Sequence, residues 1–146
     1  MKALGPLAKY QAEIDQGVIW KDALQERVVL AFEGLHQALV KPQKKGFFSN
    51  LFGQKNNTAK GIYIYGSVGR GKTHLMDLFY DCLPEQVGKQ RQHYHEFMLW
   101  LHQQLRQYDN HTNPLDKICQ QMATQVEVLC LDEFLVNDIA DAMLLA

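Results

Sequence analysis

Apolar positions in this chain recur first at three and four residues, then at two, and each change of period marks a new element. Over residues 5–16, Leu7, Tyr10 and Ile14 stand three and four apart, a weakly amphipathic helix that Gly17 stops. Over residues 22–39, Leu24, Val28, Ala31, Phe32, Leu35 and Leu39 form a stripe that predicts a second helix, with Glu26, Arg27, Glu33 and Gln37 facing water. Gly34 weakens that helix by about 1 kcal/mol relative to alanine. The spacing then shortens. Residues 61–65, Gly-Ile-Tyr-Ile-Tyr, predict a first strand, and residues 91–95 a second in which His93 and His95 share a face. Residues 126–131 predict a third, apolar throughout 128–131, as in a central parallel strand covered on both sides. Helices over residues 97–107 and 114–124 lie between the second and third strands. The later one opens on Asn113 as N-cap, Pro114 in the first helical position and Asp116 near the positive dipole end.

Helices that alternate with apolar strands describe an α/β domain with a parallel sheet. Residues 1–40 read as a helical lead-in, 41–60 as a loop and 61–146 as the sheet-bearing part. The loop carries Lys41, Lys44, Lys45, Lys55 and Lys60 around Phe47, Phe48, Leu51 and Phe52. That composition suits contact with an anionic membrane surface or a partner protein; the simpler reading is an insertion whose phenylalanines tuck against the neighbouring helix. Over the whole chain the charges balance to a formal net of −1, so nucleic acid is not an expected partner. Cys82, Cys119 and Cys130 show neither metal spacing nor a C-x-x-C pair and read as buried, reduced thiols of a cytoplasmic protein. Residues 1–6 have neither a signal-peptide core nor an Arg-rich presequence. The last eight residues stop within a helical pattern, which reads as a truncated chain.

The chemistry concentrates where the first strand ends. Gly66-Ser67-Val68-Gly69-Arg70-Gly71-Lys72-Thr73 is G-x-x-x-x-G-K-T between a strand and the helix that begins near His74, the context in which this motif forms a phosphate loop. Its glycines let successive N–H groups converge on an anion, and the helix N-terminus adds its own unpaired amides and positive dipole end. Residues 66–74 are therefore the predicted nucleotide cradle. Lys72 would reach the β- and γ-phosphates and the Thr73 hydroxyl would ligate Mg²⁺. Arg70 is read as a solvent-facing variable position of the loop.

A second feature ends the third strand: Asp132-Glu133, at the carboxyl edge where open α/β sheets place ligands. Asp132 is the predicted Mg²⁺ residue, and Glu133, with Lys72, the predicted catalytic residue, orienting and polarising the attacking water. A small GTPase would carry D-x-x-G here and an N-K-x-D motif elsewhere; neither is found. The Asp-Glu pair points to ATP hydrolysis, giving ADP and phosphate. His93, His95 and Glu96 lack a further ligand at metal spacing, so they read as strand-end residues rather than a metal site.

Together these stretches carry a resemblance. Residues 61–80 resemble the phosphate-loop segment of the ZapE family, bacterial cell-division ATPases related to a mitochondrial AAA+ branch. His93-Tyr94-His95-Glu96-Phe97-Met98 resembles that family's second-strand signature, and residues 129–144 its acidic-strand segment. The resemblance covers about a third of the chain and implies an AAA+ P-loop NTPase of three layers around a parallel sheet, incomplete here and preceded by the helical lead-in. It implies an ATPase at the constricting division ring, with a tubulin-like ring protein as partner; an unpaired sheet edge would invite homo-oligomers, and the 41–60 loop suits recruitment to the inner membrane. Family members are more than twice this length, and the sensor asparagine, arginine finger and lid are missing. Adenine recognition by Val18, Ile19, Asp22 and Gln25 is likewise implied by the resemblance alone.

Overall fold

The computed structural model describes residues 4–40, 60–108 and 112–145. The basic-aromatic loop therefore lies almost wholly outside the described residues. The chain divides into two compact units, one ending at Pro84 and one beginning at Glu85.

The first unit packs three helices: α1 (Pro6–Asp15), α2 (Ala23–Val40) and α3 (Lys72–Cys82). Pro6 sits in the first turn of α1, where a missing N–H costs nothing. Gly17, at φ +72°, ends the helix as predicted: its N–H bonds the Ile14 carbonyl at 2.9 Å and the Val18 N–H that of Glu13 at 2.9 Å. That pair of bonds is the Schellman arrangement, and it needs the left-handed residue that glycine supplies. Asp22 starts α2 by accepting a bond from the Leu24 N–H at 2.7 Å.

The buried face of α2 is turned from the predicted stripe. Val29, Phe32 and His36 are buried, whereas Leu24 and Ala31 are exposed. Two contacts decide the rotation. The Phe32 ring stacks on Phe79 of α3 with centroids 4.6 Å apart. His36 Nε2 lies 3.1 Å from the carbonyl of Cys82, the last residue of α3; a carbonyl only accepts, so the ring donates and satisfies an orphan helix-end oxygen. Glu33 does not simply face water. Its carboxylate accepts from the Leu7 N–H at 3.1 Å and from Gln37 Nε2 at 3.0 Å, capping α1, whose N-cap Gly5 has no side chain to do so. The Gln37 bond first, and then the Leu7 amide, hold the Glu33 carboxyl below its ordinary pKa. A lowered pKa contributes stability above the unfolded value, and that contribution is lost as pH falls through the folded one.

In the second unit the order is β1 (Lys89–His93), α4 (Tyr94–Gln107), α5 (Pro114–Ala123), β2 (Val128–Asp132) and α6 (Ile139–Leu145). The two strands pair in parallel, with Arg91 opposite Cys130 and His93 opposite Asp132. Tyr94, Phe97, Met98, Leu101 and Ile118 form the buried core, with Leu129, Leu131 and Phe134 packed against it. Both strands were expected, but β1 begins and ends two residues early. Tyr94 already starts α4, so His93 closes a strand and His95 stands on a helix, and the shared strand face is corrected. The aromatic ring explains the early turn: Tyr94 is buried and tilts against Phe134 with centroids 4.6 Å apart.

Two further expectations are corrected. Residues 61–65 are not a strand, and the described sheet is two-stranded, β1 beside β2. The segment keeps alternating burial, and Tyr63 and Tyr65 stack on one side with centroids 6.3 Å apart. Period two sets an extended backbone, but a ladder also needs a neighbour, and that is a non-local property. Of the cysteines, Cys82 and Cys130 are buried but Cys119 is exposed. Burial pushes the Cys82 thiol up, as suits an inert core sulfur.

Gly88 opens the β1–β2 pair, its carbonyl accepting from the Glu127 N–H at 2.6 Å and the Val128 N–H at 3.0 Å. A Cβ here would run into the Gln125 backbone carbonyl, which has no rotamer to retreat into. Gly88→Ala is expected to cost about 2–3 kcal/mol, read as a lower urea midpoint with an unchanged slope.

Candidate functional site

The predicted cradle lies where the first unit's extended segment turns into α3. Gly66, Gly69 and Gly71 have φ of +152°, +80° and +73°, conformations that side-chain-bearing residues rarely adopt. A Cβ at Gly66 or Gly69 would meet nothing within 4 Å, so backbone conformation, not crowding, requires glycine there. Lys72 curls back over this loop, and its Nζ donates to the carbonyls of Gly66 at 2.9 Å and Ser67 at 2.8 Å. Its ammonium thus stands beside the loop at the N-terminus of an eleven-residue helix. Cation and helix dipole both favour an anion at this place. Thr73 and His74 follow in the first turn, and Val68 is almost fully exposed at the loop's tip.

Side chains of the loop that reach away from it meet the lead-in helices. The Arg70 guanidinium lies 3.9 Å from Asp22 at the start of α2, so it does more than face solvent. His74 Nε2 bonds the Glu13 carboxylate of α1 at 2.8 Å, so its side chain is directed to the lead-in helix. Gln25 Nε2 donates to the Arg70 carbonyl at 3.1 Å. Of the residues tied to adenine by resemblance, Asp22 and Gln25 therefore stand against the glycine loop at Arg70, while Val18 is largely exposed.

Asp132 and Glu133 belong to the second unit, at the carboxyl end of β2, as predicted. The Asp132 carboxylate is held from two sides. Its Oδ1 accepts from the Glu133 N–H at 2.9 Å, and its Oδ2 meets the Arg91 guanidinium of β1 at 3.4 Å. The two side chains are 15% and 31% exposed, so the pair is partly shielded from water and stronger than a surface ion pair. Glu133 itself is exposed and adopts φ +52°, the one positive φ outside glycine among the described residues. Left-handed backbone at a glutamate costs about 1–2 kcal/mol. Such strain concentrates at functional positions. Beyond it, Asp141 of α6 bonds His102 at 2.7 Å and Tyr94 at 3.4 Å, tying the chain that follows the acidic pair to α4.

Reading the sequence missed Arg91, Glu13 and Tyr10. Arg91 left a signal: it is the one full positive charge, apart from the edge lysine, in a strand of glutamines and a histidine. Glu13 and Tyr10 left none, since their partners lie far along the chain. Gln90 and Gln92, alternating with Arg91 along β1, line a cavity of about 330 Å³ with Trp100, Gln104 and Gln125; it contains no predicted site residue.

Thr73 and Asp132, the residues predicted to bind magnesium, each carry a hard oxygen donor. Among the described residues no group of three or more His, Cys, Asp or Glu could hold a metal ion. Mg²⁺ typically binds one or two protein oxygens and takes the rest from phosphate and water. Among the described residues no helix is long and apolar enough to cross a membrane.

The chain is 38% identical to the cell division protein ZapE of Escherichia coli over 99% of its own length and 42% of that protein. It is 34% identical to an uncharacterized protein of Schizosaccharomyces pombe over 96% of its own length and 38% of the other. It is 38% identical to the lactation elevated protein 1 homolog B of Danio rerio over 62% of its own length and 20% of the other. It thus spans about two fifths of the length of the first two relatives. No solved structure matches it. Residues 4–146 match the AFG1-like ATPase family, and the chain belongs to that family.

Proposed function

We propose that this chain is the nucleotide-binding part of a Mg²⁺-dependent AAA+ ATPase that converts ATP and water to ADP and phosphate. The observation that carries the reading is the Lys72 ammonium folded over a glycine loop at a helix N-terminus, contacting two of the loop's carbonyls. In this reading the amides of residues 66–74 bind the β- and γ-phosphates, and Lys72 leaves its carbonyl partners for phosphate oxygens. Thr73 and Asp132 would hold the metal ion, which supplies charge neutralisation on the phosphates. Arg91, 3.4 Å from Asp132 Oδ2, keeps that carboxylate oriented. Glu133, raised on its left-handed turn, positions a water for attack.

Titration calorimetry tests it. ATP is expected to bind about tenfold more tightly with Mg²⁺ than with EDTA, and Asp132→Ala to abolish that difference, since a charged contact is worth about 1.5–3 kcal/mol. Equal affinity with and without metal in the unaltered protein would remove magnesium from the site.

On similarity to a relative named as a cell division protein, the proposed setting is the bacterial division ring, with a tubulin-like ring protein as partner, in the cytoplasm and recruited to the inner membrane. A second reading, a nucleotide-gated interaction module with negligible turnover, is favoured by Leu135, Ile139 and Met143, exposed just after the acidic pair. Tight ATP binding without phosphate release would select it. A DNA-dependent ATPase is the remaining alternative, and stimulation by single-stranded DNA would mark it.

A further inference from the structure

We propose that Gln25 is a positioning residue of the phosphate loop, acting on the peptide between Arg70 and Gly71 and not on the base of the nucleotide. The inference rests on the reading of residues 66–74 as a triphosphate site.

Its side chain is fixed at both ends. Nε2 donates to the Arg70 carbonyl at 3.1 Å. Oε1 lies 3.4 Å from the hydroxyl of Tyr10, a residue buried between the helices of the first unit. The backbone below is fixed as well, because Asp22 Oδ1 accepts from the N–H groups of Leu24 at 2.7 Å and Gln25 at 3.4 Å. The amide also sits against the turn: a Cβ added to Gly71 would lie 3.1 Å from Nε2.

The consequence follows from peptide planarity. In a trans peptide the carbonyl and the following N–H point in opposite directions. By holding the Arg70 oxygen toward α2, Gln25 turns the Gly71 N–H away from α2. Gly71 is the N-cap of α3 and has φ +73°, a conformation in which glycine lets this peptide rotate at little steric cost. Without an anchor, that rotation would aim a carbonyl oxygen where an amide is needed, and a phosphate would meet a partial negative charge. Glycine permits the cradle, and Gln25 selects one orientation of it.

The experiment compares ATP with inorganic tripolyphosphate, which has the phosphates and no base. Gln25→Leu keeps the side chain's bulk and helix preference but removes the donor. It is expected to weaken both ligands by the same factor, about three- to tenfold, the range of one neutral hydrogen bond. Gln25→Glu places a carboxylate against the carbonyl and is expected to weaken both further. Tyr10→Phe keeps the core ring, frees Oε1, and is expected to lower both affinities by about twofold. It also serves as the readout if a Gln25 variant fails to fold, with thermal melts reporting which variants fold. Weaker ATP binding with unchanged tripolyphosphate binding would make Gln25 a reader of the base and overturn the proposal; unchanged affinity for both ligands would do the same. Failure of the triphosphate reading shows separately, as a Lys72→Ala variant that binds both ligands like the unaltered protein, and it takes the proposal with it.

Discussion

Lys72→Ala is expected to lower ATP affinity about 10²- to 10⁴-fold while leaving the thermal midpoint of the ligand-free protein nearly unchanged. The ammonium makes two loop contacts, at 2.9 and 2.8 Å, and both are open to solvent. Water can therefore replace it at the Gly66 and Ser67 carbonyls, and folding loses little. Against phosphate the balance differs. Each charge-assisted contact is worth about 1.5–3 kcal/mol, and two of them convert to roughly two to four powers of ten. Lys72→Arg is expected to fall close to the alanine variant, because a planar fork cannot follow the curl that carries one Nζ to both carbonyls. Calorimetry with ATP and ADP reads the result. Affinity within about threefold of the unaltered protein would place the phosphates elsewhere.

Glu133→Gln is expected to keep ATP affinity within about threefold and to slow phosphate release by about 10²–10⁴, the range associated with a positioned acid–base group. Glutamine has the same shape and can still orient a water, but it has no carboxylate to polarise it. Glu133→Gly separates the two burdens of this position. It removes the same carboxylate and also the left-handed penalty at φ +52°. Glycine's larger entropy loss offsets part of that relief, leaving a net gain in folding stability of about 0.5–1 kcal/mol. A variant that is more stable and does not turn over is the pattern expected where strain is kept for function. If Glu133→Gln retained half the turnover, water activation would belong to another residue. If Glu133→Gly were destabilised, the turn would be held by contacts of the glutamate side chain.

The elements that local pattern specifies were legible to within a few residues. Gly17 ends α1, Asn113 and Pro114 open α5, and the apolar run into Asp132 is a parallel strand. The errors share one cause. The stripe of α2 predicts one buried face, but the Phe32–Phe79 stack and the His36 bond to α3 turn a different one inward. The second strand lies two residues earlier than its period predicts because Tyr94 finds its partner in Phe134, forty positions further on. Residues 61–65 carry the period of a strand without a described ladder, since pairing depends on a neighbour and not on the segment itself.

What the chain's own order of residues determined is the local chemistry. Glycines that tolerate positive φ stand beside a lysine and a threonine at the start of a helix, and two adjacent carboxylates end an apolar strand. Those features need only neighbours within a few positions, so spacing conveys them. Tertiary structure alone decided which groups orient that chemistry: Gln25 on the Arg70 carbonyl, Glu13 on His74, and Arg91 on Asp132. Each pair is separated by 41 to 61 positions. Long-range partners are selected by how helices and strands pack, and packing is a property of the folded chain, not of any window along it.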